Sequence, residues 1–453
     1  MSVAKTHPHE SARLHVTGTA RYTDDIPAPA GCLHLAFGVA EIAHGRLDAL
    51  DVSAVRAAPG VHAVLTPADL DPMPDCSPSL DDEPLLCTGT IHYAGQPLYL
   101  VIADSHLNAR RAARLHVAQT TEAPALLTIE DAMAAESWFD GGSRIWSDGD
   151  VAAGLAAAPQ VTTGQIEIGG QEHFYLEGQA ALAMPSEAGE MHVLTSTQHP
   201  TEIQHKVADA LGVPMHAVRS EVRRMGGGKE SQGNALAIAC ALAARLTGRA
   251  CCMRYDRDDD FVVTGKRHDF RIAYEVGHDA DGRLHAIRFR HWTRCGWAQD
   301  LSLPVADRAM LHADNAYDIP AMEITSWRLR THTQSATAFR GFGGPQGMLG
   351  IERVLDHVAH VVGRDPLAVR RLNFYADAGG GGGSEGPAPR APRDISEGKN
   401  GRTHYGQEVS DFCLNALVER LAGACDYAGR RARVAEWNAA NPVLKRGIAL
   451  TPV

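Results

Sequence analysis

A chain of 453 residues exceeds what one hydrophobic core normally serves, so two or three domains are expected. With 44% hydrophobic and 21% charged residues its composition is that of a soluble globular protein. A formal net charge of -11 excludes a general affinity for nucleic acid or an anionic membrane, each of which needs a basic patch, and leaves a polar or neutral small substrate as the better match.

The N-terminal stretch MSVAKTHPHESARLHVTG lacks the apolar core of a signal peptide. No later stretch reaches the roughly 18 apolar residues of a membrane span. The nine cysteines are scattered with no CxxC pair, which points to reduced core thiols and, with the missing signal, to a cytoplasmic protein.

Residues 12 to about 125 alternate short strand-like and helix-like runs, a compact α+β domain. PLYLVIA, residues 97–103, is a short apolar run of strand formers, and SHLNARRAARL opens on a serine cap and reads as helix. A looser stretch over 140–165, with Gly141-Gly142 and an alanine-rich run, reads as a linker into a second domain spanning 140–378.

That second domain holds a β-hairpin over 269–293, where Ile272, Tyr274 and Val276 alternate, Asp281-Gly282 turns, and Leu284, Ala286 and Arg288 resume the period of two. Helices are expected at 201–212, 233–247 and 347–362, the last two closed by Gly248 and Gly363. A Gly/Pro-rich tract over 379–402 is too poor in apolar residues to order itself and reads as a disordered linker. A third unit begins at 403, helical over 408–441 and strand-like from 444 to the end.

Four stretches carry candidate chemistry. RRMGGGKESQGN (223–234) is not a phosphate-binding Walker loop, because Arg223 stands where the first glycine should be and Glu230 follows the lysine; clustered glycines serve either a tight helix-entry turn or close approach of a ligand. TAFRGFGGPQG (337–347) fails as a dinucleotide fingerprint, since Gln346 replaces the final glycine, but an arginine and an aromatic among glycines before a helix suit a planar or anionic ligand. STQHP (196–200) places Gln198 before a helix-opening proline, and DLSLPVADRAMLHADNAY (300–317) places Arg308 in an apolar setting. Taken singly, a cap for Gln198 and a salt-bridged structural role for Arg308 are the plainer readings.

Taken together, these stretches with EHFYLEGQAALA (172–183) and YDRDDDFVVTGKRHDF (255–270) resemble, from residue 13 to the end, the molybdenum-binding subunit of the xanthine dehydrogenase branch of the molybdenum hydroxylase family. The resemblance implies an α/β hammerhead-like domain over 1–125 followed by α+β molybdenum-cofactor domains. It also implies a molybdenum–molybdopterin cofactor that hydroxylates an electron-poor purine carbon with oxygen from water, and a partner subunit carrying 2Fe-2S clusters and FAD. By position, Gln198 is similar to the glutamine bonding a molybdenum ligand, and Gly227 and Gly228 belong to the loop nearing the cofactor. Arg340 matches a backbone contact to it, and Gln198 and Arg340 would lie behind the metal's own ligands. Glu230 matches the purine-orienting glutamate, Arg308 the arginine at the opposite purine edge, and Phe342 one of two phenylalanines clamping the ring.

The chain departs from the family pattern in two places. The glycine loop of the family reads GGGFGGKE, whereas here Phe-Gly-Gly is missing between Gly228 and Lys229, and a misplacement of about 1 Å at Glu230 can cost on the order of a hundredfold in rate. Family chains also continue past this point to a glutamate general base absent here, so the expectation is an N-terminal portion that is inactive alone. The competing expectations are a non-catalytic split half acting in assembly, or a hydroxylase of another N-heterocycle or an aldehyde.

Overall fold

The computed structural model describes residues 5–226, 231–376, 401–410 and 412–452. After a one-turn helix α1 (Ala12–Val16), the chain lays down β1 (Leu33–Val39), β2 (Gly45–Asp51), α2 (Ser53–Arg56), β3 (Val61–Leu65), β4 (Thr90–Ile91), β5 (Pro97–Ala103), α3 (His106–Ala112) and β6 (Val117–Glu122). The run PLYLVIA forms β5 and is buried along its whole length, because β1 pairs with one edge and β3 with the other. Helix α3 starts at its serine, whose Oγ accepts the Asn108 N–H at 3.3 Å. Strands β4, β2 and β6 make a separate three-stranded sheet.

After α4 (Ile129–Ala134), the stretch read as a linker is instead built structure: β7 (Trp138–Asp148), α5 (Val151–Ala157) and β8 (Gln160–Ile168). Gly154 is needed here because the elements lie very close, whereas Gly141 and Gly142 have open space around them and supply positive φ. A β-carbon on Gly154 of α5 would lie 2.7 Å from that of Ala286, and Gly141 and Gly142 fall inside a bulge where β7 leaves register. Asp150 caps α5 by accepting the Ala153 N–H at 2.9 Å.

Next come β9 (Ala180–Pro185), β10 (Met191–Thr195), α6 (Pro200–Leu211), β11 (Val218–Glu221), α7 (Asn234–Thr247), β12 (Cys251–Arg254) and α8 (Arg257–Val263). Four of these strands extend the first segment's sheet to the order β11-β10-β9-β12-β1-β5-β3, β12 running parallel to β1 with Leu33 opposite Cys251. Helix α7 is buried from Leu236 to Ala241 as it lies between this sheet and α6, so its surface is apolar nearly all round.

The predicted hairpin is β13 (Phe270–His278) and β14 (Leu284–Gly296). It is followed by α9 (Ser302–Leu311), β15 (Met322–Arg330), α10 (Gly344–Val361), α11 (Pro366–Asn373), α12 (Leu414–Ala424) and α13 (Tyr427–Ala440). A five-stranded sheet, β7-β15-β14-β13-β8, packs Ile272, Phe289 and Ile324 into one core with Ile351, Leu355 and Val358 of α10. The three expected helices appear as α6, α7 and α10.

The strand expected from 444 does not form. That segment runs back along α13 instead, where Asn438 accepts the Arg446 N–H at 2.8 Å and donates to the Arg446 carbonyl at 3.0 Å. Alternating apolar residues make a strand only where a neighbour offers an edge. The glycine-rich tract as far as residue 400 lies outside the described residues. Among the described residues no helix is long and apolar enough to cross a membrane.

Candidate functional site

The glycine-rich TAFRGFGGPQG becomes a tight loop that runs directly into α10, with Pro345 in the first helical turn where its missing N–H costs nothing. Phe342 takes a left-handed φ of 52° and donates its N–H to the Phe339 carbonyl at 2.7 Å. A β-carbon on Gly343 would lie 2.0 Å from the Val305 carbonyl oxygen, and one on Gly347 would lie 2.2 Å from that of Ala309. The two glycines, one turn apart, therefore let α10 lie backbone against backbone on α9.

This contact packs the loop that carries Phe342 against α9, the helix that carries Arg308. A β-carbon on Gly344 would lie 3.4 Å from the His312 ring, and Arg308, one turn earlier on α9, donates its Nε to His312 Nε2 at 3.2 Å. Burial, and then the Arg308 charge, hold the His312 pKa below its usual value, which keeps the ring a neutral acceptor. The bond uses only Nε, so the paired Nη donors of the guanidinium are not consumed by it. Arg308 is exposed and Phe342 half-buried.

A buried arginine fixes the loop from beneath. Arg267 donates Nη2 to the Arg340 carbonyl at 2.9 Å and Nε to Gln171 Oε1 at 2.7 Å, and its guanidinium lies 3.8 Å over the Phe339 ring. His173 adds a 2.7 Å bond from Nε2 to the Ala338 carbonyl. It is thus the backbone of Arg340 that the structure positions, while its side chain is exposed. Arg267 is only 8% exposed, and burial lowers its pKa to about 10, so it remains a cation at neutral pH. Its Nη1 has no hydrogen-bond partner among the described residues. An anionic group rich in acceptors fits that orphaned donor.

Gln198 is half-buried in the turn entering α6, where the His199 N–H donates to Thr197 Oγ1 at 3.0 Å. The start of α7 packs on this turn: a β-carbon at Gly233 would lie 3.6 Å from the Ser196 carbonyl oxygen, and Asn234 donates to Glu202 of α6 at 2.8 Å. Gly227, Gly228 and Glu230, with the shortened loop they belong to, lie outside the described residues. On one flank of that loop the Gly226 N–H donates to Glu177 Oε2 at 3.2 Å; on the other, Ser231 is buried.

Two carboxyls that sequence reasoning did not single out sit next to Ser231. Glu83 and Asp300 line a cavity of about 70 Å³ with Ser231, Ser335 and Thr337. Burial, and then the Asp300 charge, push Glu83 up to about 8; burial likewise raises Asp300 to about 6. Asp300 heads the stretch that holds Arg308, yet its hydroxyl partners, Ser231 and Thr337, are distant in sequence. Glu83 ends the run Asp81-Asp82-Glu83, which looks like a solvated acidic turn. Elsewhere Asp256, Asp258 and Asp259 stand together, but Arg110 donates to all three, which makes them an ion-pair node.

A model of the molybdopterin cofactor-binding domain matches residues 139–374, and one of the aldehyde oxidase and xanthine dehydrogenase a/b hammerhead domain matches residues 17–122. Xanthine dehydrogenase of Drosophila subobscura is 38% identical over 99% of this chain and 32% of its own length; that of Oryza sativa subsp. japonica is 36% identical over 98% and 31%. The chain therefore spans about a third of the length of these curated relatives. The aldehyde oxidoreductase structure from Desulfovibrio gigas superposes with a TM-score of 0.79 at 25% identity, covering 94% of this chain and 47% of that one. Quinoline 2-oxidoreductase from Pseudomonas putida 86 superposes with a TM-score of 0.82 at 24% identity, covering 97% and 56%, a likeness of fold.

Proposed function

The chain belongs to the molybdopterin cofactor-binding family, and on that premise we propose that it builds part of an active site hydroxylating purines, hypoxanthine to xanthine to urate, in a xanthine dehydrogenase-type oxidoreductase. The observation that carries the reading is the glycine-mediated contact of α9, the helix that bears Arg308, with the loop and start of α10, where Phe342 lies.

The cofactor would be held by Gln198, by Gly227 and Gly228, and by the backbone at Arg340 that Arg267 anchors. Molybdenum bound in molybdopterin supplies transfer of a water-derived oxygen and accepts two electrons. Phe342 offers a ring face on which a purine stacks, an arrangement worth about 0.5–1.5 kcal/mol beyond burial. Arg308 opposes the negative charge that develops on the purine during attack, and a positioned donor of this kind is worth roughly 3 kcal/mol. Because its Nε is fixed by neutral His312, the guanidinium is oriented before substrate arrives. Glu230 would hold the opposite purine edge, and electrons would pass to 2Fe-2S and FAD centres on a partner subunit in a hetero-oligomer.

The test is molybdenum content and xanthine turnover of this chain completed with the remaining length of a relative, made in cells that synthesise molybdopterin, with Glu230→Ala expected to suppress xanthine but spare an aldehyde. Turnover of an aldehyde or pyridine carboxylate in place of xanthine would reassign the substrate. Protein that never acquires molybdenum would overturn the catalytic reading in favour of an assembly role.

A further inference from the structure

We infer that Asp300 is a positioning residue, one buried carboxylate fastening together the three chain segments that lead to Glu230, Arg308 and Phe342. The inference rests on the functional reading above for what those three residues touch, but the fastening itself is geometric. Asp300 is 6% exposed and lies between β14 and α9. Oδ2 accepts the hydroxyl of Ser231, the residue directly after Glu230. Oδ1 accepts Thr337 Oγ1 at 2.7 Å and the Leu301 N–H at 2.6 Å. Thr337 opens the loop that reaches Phe342, and Leu301 caps α9, whose second turn bears Arg308.

The Ser231 and Thr337 hydroxyls stand 3.3 Å apart, so both donors converge on the one acid. Only a carboxylate offers acceptors on both oxygens to three donors; an asparagine at this site would turn an amino group towards one of them. The backbone bears witness to the same demand. Asp300 has a left-handed φ of 43°, which a non-glycine residue adopts at a cost that the converging bonds offset. The three donors also work against the upward pull of burial on its pKa, which keeps the acid an acceptor at neutral pH.

The decisive experiment is amide hydrogen exchange of the whole chain carrying Asp300→Ala or Asp300→Asn. Exchange is expected to quicken at least tenfold, together, in peptides covering 231–236, 301–306 and 337–343, with the hairpin strands unchanged. Ser231→Ala should loosen the first of these and Thr337→Val the third, which decides the matter even if the Asp300 variants fail to fold. Quickening confined to 301–306 in the Asp300 variants, or no response to either hydroxyl deletion, would overturn the inference. In molybdenum-loaded protein, Asp300→Asn should raise the KM for xanthine at least tenfold while melting near wild type; an unchanged KM would count against positioning. A completed wild-type chain without purine turnover would sink the functional reading, and the exchange result alone would then decide whether the three segments are clamped.

Discussion

Gly343 presses on Val305 so closely that a β-carbon would sit 2.0 Å from the Val305 carbonyl oxygen. The neighbour is helix backbone, which cannot swing aside, and the glycine also holds a φ of 92°. Gly343→Ala therefore combines overpacking with left-handed strain and is expected to cost about 2–5 kcal/mol in urea unfolding. Gly363→Ala is the control, since that glycine has φ 67° but open space around it, and should cost only about 1–2 kcal/mol. Equal losses would show that close approach of the helices contributes nothing.

Glu83 gives a prediction in pH. Burial first, then Asp300, hold it at about 8 against 4.5 when exposed. A carboxyl raised in this way contributes stability that is fully present below the unfolded value and is lost as pH rises through the folded one. Glu83→Gln keeps an oxygen for Ser335, which donates at 3.0 Å, and has no charge to acquire. The unfolding free energy of the variant should fall less than that of wild type from pH 5 to pH 9, the gap growing to the order of a few kcal/mol on the alkaline side. Parallel curves would place the Glu83 carboxyl in water.

What sequence could tell divides by range. The hairpin over 269–293 and the three helices were legible because alternation, a DG turn and a closing glycine act within a few residues. The 140–165 region was misjudged because glycine and alanine look the same whether a chain is loose or packed tightly on a neighbour. Arg308 and Phe342 were nominated by resemblance to a family pattern, and glycine spacing on α10 explains how the elements that carry them pack together. Asp300 and Arg267 escaped notice because the side-chain and carbonyl partners that define them, Ser231, Thr337, Gln171 and the Arg340 carbonyl, lie far away in sequence.

Arg267 should resist conservative replacement. Its fork reaches the Arg340 carbonyl and Gln171 at once while stacking on Phe339, and a lysine ammonium reproduces none of that planarity. Arg267→Lys is expected to cost about 1–3 kcal/mol and to quicken amide exchange across Arg340–Gly343. Unaltered exchange there would mean that other contacts, such as the His173 bond to Ala338, suffice to hold the loop.

Arg308 supplies the most direct test of the chemistry. If its charge acts on the transition state, Arg308→Met in the loaded enzyme should lower kcat for xanthine by about 100- to 1,000-fold with a smaller change in KM. Phe342→Ala removes stacking present in ground and transition states alike, so it should raise KM by roughly 2- to 10-fold and leave kcat nearly unchanged. The two effects separate a cation that stabilises developing charge from a ring that merely holds the substrate. His312 adds a pH signature: its pKa is depressed from 6.5 by burial and by Arg308, so protonation comes only on the acid side of that value. Protonating the ring removes the acceptor of Arg308 Nε and sets a second cation against it, so turnover should fall as pH drops below 6.5. His312→Gln, which offers Arg308 an uncharged oxygen at every pH, should flatten that acid limb; an acid limb unmoved by the substitution would assign it to another group.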